Sequence, residues 1–167
     1  MNAIELLEEQ HEETVSLLEK LEKSEPGAGR KRDFRKLQAS LLAHMAIEEE
    51  IFYPALVAAA DADGEPLAEG YEEHSGARVA LQRCARSAAQ EKLFQVRIGV
   101  LSELIKHHVK EERSSILPRA RKAMSRDELE ELGEKMKVRF QAVLGRPRVG
   151  SELDRKSTAR AQRALSA

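Results

Sequence analysis

Leu41-Leu42-Ala43-His44-Met45-Ala46-Ile47-Glu48-Glu49-Glu50-Ile51-Phe52-Tyr53-Pro54 decides the fold, because the chain writes its key residues twice. Here Glu48 follows His44 by four positions and Pro54 follows it by ten. In the later stretch His107-His108-Val109-Lys110-Glu111-Glu112, Glu112 follows His108 by four and Pro118 by ten. One isolated histidine precedes each: His11 lies 33 residues before His44, and His74 lies 34 before His108. The chain therefore reads as two copies of one unit, a helix with His followed by a helix with His-xxx-Glu.

Helical periodicity surrounds these residues. Ile4, Leu7, His11, Val15, Leu18 and Leu21 recur at steps of three and four, as do Leu37, Leu41, His44, Glu48, Ile51 and Ala55. A third stripe holds Leu67, Tyr71, His74, Arg78, Leu81 and Ala85, and a fourth Leu101, Leu104, Ile105, His108 and Glu112. Breaks are expected at Ser24 to Gly29, at Asp61 to Pro66 and near Gln90. Pro54 should kink or end its helix, and the fourth helix should end near Pro118. Ser125-Arg126-Asp127-Glu128 reads as a capping box for a fifth helix, running to about Leu144 before Gly145-Arg146-Pro147.

The composition agrees. The 167 residues are 41% hydrophobic, with six Phe and Tyr rings and no Trp, so the core is aliphatic. Nine Gly and five Pro are too few for a turn-rich β-sandwich. Lys plus Arg is 28 against 29 acids, a net charge of −1, which argues against a general polyanion binder. The lone Cys84 rules out an internal disulfide and any Cys₄ or Cys₂His₂ zinc site, and reads as a small buried hydrophobe. No run reaches 18 apolar residues and no signal peptide is visible, so no membrane span is expected and a cytoplasmic location follows by default.

The repeated residues point to metal. Positions i and i+4 share one helix face, so His44 with Glu48, and His108 with Glu112, each aim an imidazole and a carboxylate at one place. Two buried carboxylates without counter-charge would cost several kcal/mol each. No Lys lies on these stripes, and Arg78 alone cannot neutralise both, whereas a pair of cations would. Four imidazoles and two carboxylates without thiolate suit iron, manganese or zinc. Six ligands exceed one tetrahedral zinc. Two metals fit if each takes two histidines, one oxygen from each Glu and a solvent-derived bridge, with a sixth position open. Redox-active iron that can meet a diatomic ligand suits such a site in a four-helix bundle.

The set His11, His44-xxx-Glu48, His74, His108-xxx-Glu112 resembles the hemerythrin family in its bacterial hemerythrin-like form, over about residues 1 to 122. The resemblance implies an up-down-up-down four-helix bundle around a carboxylate-bridged non-haem di-iron centre. Two iron ions with an oxo or hydroxo bridge are the implied cofactor, with zinc or manganese as substitutes. A ferritin-like site would instead carry Glu-xx-His on two helices and a lone Glu on the others. One position departs from the family. Oxygen carriers place a fifth histidine four residues after the third-helix one, and here that residue is Arg78. Arg78 is expected to bond a bridging Glu or a bound anion, or else to sit in a surface ion pair.

Two further residues are candidate partners of the centre. Tyr53, just before Pro54, is a candidate additional ligand or a ring hydrogen-bonded to the site. His107 lies about 100° round the helix from His108 and is expected beside the site or in solvent. The expected architecture is all-α: a di-iron bundle over 1–122, an extra helix over 123–145 and a flexible basic tail over 146–167. The expected function is reaction with O₂, peroxide or nitric oxide, with enzymatic turnover left open. The alternative is an iron or O₂ sensor or store, whose exposed fifth helix and tail relay ligand state to a protein partner. A third reading is a bundle whose site takes zinc or stays empty. From Arg139 onward seven Lys or Arg face two acids, but without interleaved aromatics nucleic acid is disfavoured as a partner.

Overall fold

The computed structural model describes residues 1–59, 64–87, 91–145 and 160. Helix α1 spans Ala3–Glu22 and α2 spans Ala28–Ile47. A π turn over Glu48–Phe52 then leads into α3, Tyr53–Ala59. After α4, Glu65–Arg86, and α5, Glu91–Glu111, a second π turn over Glu112–Ile116 leads into α6, Leu117–Ala123. Helix α7, Arg126–Leu144, completes an all-α, up-down-up-down four-helix bundle with an additional C-terminal helix. Among the described residues no helix is long and apolar enough to cross a membrane.

Neither proline ends its helix. Each follows a π turn, in which Tyr53 N–H bonds the Glu48 carbonyl and Leu117 N–H bonds the Glu112 carbonyl, five residues back. The wider turn removes the clash between a proline ring and the carbonyl four residues earlier. It also adds a residue to the turn, so the inward stripe moves. Beyond Glu49 the buried positions are Phe52, Tyr53 and Leu56, while the expected Ile51 and Ala55 are only partly buried. On the other helices Leu104 is 40% exposed and Ala85 is exposed, while Cys84 is buried as expected.

The fifth helix is not an exposed arm. It begins at the Ser125 capping box and buries Leu129, Leu132, Met136 and Val143, packing on α1, α2 and the first π turn. Its approach is close. A Cβ on Gly133 would stand 2.7 Å from the Met1 carbonyl oxygen and 2.9 Å from the Ala3 nitrogen, where Asn2 caps α1. Arg139 clamps α7 to the π turn with two bonds to Glu50, at 2.6 and 3.0 Å. Of the tail, Arg160 alone lies among the described residues, and the expected flexible segment otherwise falls outside them.

The core is split. One apolar cluster gathers Ile4, Leu7, Ile47, Phe52, Leu56, Leu117 and Met136. The other gathers Leu18, Phe34, Leu41, Cys84, Phe94, Leu101 and Ile105. A layer of histidine and glutamate lies between them.

Candidate metal centre

All six repeated residues meet in that layer. His11 comes from α1, His44 from α2, His74 from α4 and His108 from α5, while Glu48 and Glu112 open the two π turns. Each is at most 4% exposed, and both carboxylates are fully buried. Glu48 stands between two histidine pairs. Its Oε1 lies 3.0 Å from His44 Nε2 and 3.8 Å from His11 Nε2, and its Oε2 lies 3.1 Å from His74 Nε2 and 3.9 Å from His108 Nε2. Within each pair the Nε2 atoms approach to 3.1 and 3.2 Å. Two groups therefore have metal-ligand spacing: His11, His44, Glu48 and Glu112, and Glu48, His74 and His108.

Glu112 is placed differently from Glu48. Its Oε2 lies 3.1 Å from His11 Nε2 and 3.8 Å from His108 Nε2, but its Oε1 accepts a 2.6 Å bond from the Tyr53 hydroxyl. The Tyr53 ring also stacks on His74 at 5.9 Å. Burial and the neighbouring Glu112 and Glu48 charges hold the phenol well above its usual pKa, so it stays a donor. Gly70 makes room for it, since a Cβ there would stand 3.0 Å from the hydroxyl.

The charges divide as two anions among imidazoles. Burial opposes protonation of His11, yet Glu112 and Glu48 outweigh it and raise the ring to about 9. His108 and His74 are likewise raised against their burial, whereas burial wins at His44 and lowers it. Burial would raise Glu48, but the surrounding histidines hold it well below the usual carboxylate range. Both Glu48 oxygens and Glu112 Oε2 are buried without a hydrogen-bond donor among the described residues. Acceptors left so, facing imidazole nitrogens, match the demand of a bound cation.

Several functional neighbours lay off the sequence stripes. Glu49 is fully buried, accepts from His74 Nδ1 at 2.9 Å, and pairs with both Arg78 and Arg160. Glu73 accepts from His108 Nδ1 at 2.7 Å, and the exposed His107 reaches its other oxygen at 3.3 Å. Gln10 accepts from His44 Nδ1 at 2.8 Å. Arg78, 1% exposed, is thus no surface residue; it pairs with a carboxylate behind His74. Glu49 could have been found by placing the π turn, which the paired prolines signal. Gln10 and Glu73 each directly precede the isolated histidine of their repeat.

Comparison with known proteins agrees with this geometry. The family model for the hemerythrin HHE cation binding domain matches residues 2–120. The chain belongs to the hemerythrin HHE cation-binding family. A crystal structure of a hemerythrin HHE cation binding domain-containing protein from Mycobacterium kansasii is 28% identical, superposes with a TM-score of 0.75, and covers 99% of both chains. Uncharacterized proteins of Mycobacterium tuberculosis and Mycobacterium bovis are 27% identical over 149 residues, covering 88% of this chain and 90% of theirs. The family match ends within α6 and leaves α7 outside it.

Proposed function

We propose that this hemerythrin-like bundle holds two iron ions and reacts with a small oxidant or diatomic ligand such as peroxide, O₂ or nitric oxide. The observation that carries the reading is Glu48, whose two oxygens face two separate histidine pairs. That is the arrangement of a bridging carboxylate. His11 and His44 would hold one ion, His74 and His108 the other, with Glu48 shared and Glu112 Oε2 leaning toward His11. Iron would supply one-electron chemistry and open coordination positions.

The chain's own residues define what could enter. An apolar space of about 10 Å³, with the four histidines, Leu41, Met45 and Ile105 on its walls, has room for a group of water size. A groove of about 290 Å³ along the α1–α5 seam is walled by Val15, Val109 and Arg113 and reaches His11 from outside. Val109 borders both spaces, so a small ligand would pass it. Tyr53 holds a proton on Glu112 from the opposite apolar cluster, and the Arg78–Glu49 pair orients His74.

Metal analysis of protein from iron-replete cells should give close to two iron per chain, with the near-ultraviolet absorption of a coupled ferric pair and consumption of added peroxide. A reproducible single metal, or full metal retention after replacing both Glu48 and Glu112 by Ala, would refute the dinuclear reading. A sensing role draws support from one contact, Arg160 Nη1 on Glu49 Oε2 at 3.2 Å, which joins the basic tail to the carboxylate behind His74. Ending the chain at Gly145 should then alter the iron spectrum; an unchanged spectrum would count against sensing.

A further inference from the structure

The two halves of the repeat match residue for residue around the histidines, and the matches expose where they differ. Aligning His11 with His74 and His44 with His108 pairs Gln10 with Glu73, Val15 with Arg78, Glu49 with Arg113, and Tyr53 with Leu117. Two of these pairs, Gln10 with Glu73 and Glu49 with Arg113, change what the outer nitrogen of an imidazole meets. His108 gives its Nδ1–H to the Glu73 carboxylate, whereas His44, in the same place, gives it to the neutral Gln10 amide. His74 gives its Nδ1–H to Glu49. The residue that would do this for His11 is Arg113, a cation that turns outward to Glu12 at 3.5 Å. His11 Nδ1 is accordingly buried with no hydrogen-bond partner among the described residues.

We propose that the two metal positions are inequivalent and fill in order, with Glu49 and Glu73 as positioning residues that make the His74–His108 position the tighter. The inference rests on the dinuclear reading above. A carboxylate can only accept, so Glu49 and Glu73 each hold a proton on Nδ1 and fix the ring with its Nε2 turned to the centre. Their negative charge also favours a cation held between these two rings. On the other side an amide carries no net charge, and His11 has no partner on its outer nitrogen among the described residues. Donor count runs the other way, since Glu112 Oε2 leans toward His11. Preorganisation outweighs it, because a ring held by a carboxylate at its outer nitrogen already has its donor nitrogen aimed at the centre.

The test uses Co²⁺ alone, added stepwise to metal-free full-length protein and followed by its visible absorption. The wild type should take two Co²⁺ in two resolved steps. Glu73→Gln, which keeps the hydrogen bond and removes the charge, should weaken the first step 10- to 100-fold and leave the second unchanged. Glu73 is half-buried, so this variant folds even if the fully buried Glu49→Gln does not. Gln10→Glu should do the converse, strengthening the second step alone and drawing the two together. Two equal steps in the wild type, or a Glu73→Gln variant that weakens the second step or both alike, would overturn the ordering while leaving two metals bound. Uptake of a single Co²⁺ would overturn both the ordering and the dinuclear reading.

Discussion

Replacing Arg78 by Met removes a charge from the interior while keeping a side chain of similar length. Arg78 pairs with Glu49 where both side chains are fully buried. Removing one partner of a buried ion pair costs about 3–5 kcal/mol, because the remaining charge stays desolvated. Glu49 keeps the His74 Nδ1–H at 2.9 Å and Arg160 at 3.2 Å, so the loss belongs at the lower end, about 3 kcal/mol. The methionine stem fills most of the vacated volume, so little is added for a cavity. For a domain of this size that corresponds to a fall in melting temperature of about 6–12 °C, read by scanning calorimetry at matched metal content. Glu49→Gln alone should cost a similar amount, since it removes the charge of the other member of the same buried pair. The double variant Arg78→Met with Glu49→Gln removes both charges and keeps an acceptor for His74. Its cost should fall short of the two single costs added together by about 2 kcal/mol or more. A melting shift below 2 °C for Arg78→Met, or strict additivity in the double variant, would show that Arg78 does not act through Glu49.

Three other outcomes are expected. Tyr53→Phe removes the donor on Glu112 Oε1 and should cost about 1–2 kcal/mol while the protein still binds two metals; loss of one metal would make Tyr53 a ligand instead. Gly133→Ala should cost about 1–3 kcal/mol in thermal unfolding, because the new methyl meets backbone of Met1 to Ala3 rather than a side chain that can move; a loss below about 0.5 kcal/mol would refute that close approach. In metal-free protein the raised His11 contributes stability that is complete below its unfolded value near 6.5 and is lost as pH climbs through about 9. Melting temperature of the metal-free form should therefore fall across that window while the metal-loaded form stays level. Parallel pH profiles would mean that the fold does not hold His11 protonated.

The all-α architecture, the break after α1 and the six clustered residues were legible because each rests on a spacing, and spacing survives in a linear string. The errors around the centre share one cause. A 3.6-residue period assigns Ile51 and Ala55 to the core, whereas the π turn hands those places to Phe52, Tyr53 and Leu56. The same turn brings Glu49 inward, where a regular helix would have left it beside the stripe. Arg78 read as an outlier because its partner was invisible until that turn was known. Glu73 and Gln10 look like ordinary surface polar residues, since a bond to an outer ring nitrogen leaves no periodic trace. The packing of α7 was hidden for another reason: its docking depends on a glycine meeting the N-terminus, a contact between the two ends of the helical chain.

The paired prolines carry a consequence for how such a chain can change. Each widened turn now sits ahead of a residue that cannot donate a backbone bond and whose ring collides with a regular helix. Deleting one residue from Glu48–Phe52 to restore an ordinary helix would press Pro54 against the carbonyl one turn back. Losing the proline first would remove that obstacle, but the deletion would still rotate Phe52, Tyr53 and Leu56 out of the interior. Every single mutational step away from the widened turn is therefore uphill, at either end of the duplication. Drift should accumulate in the loops and the tail long before it reaches these two turns, which act as a ratchet on the sequence.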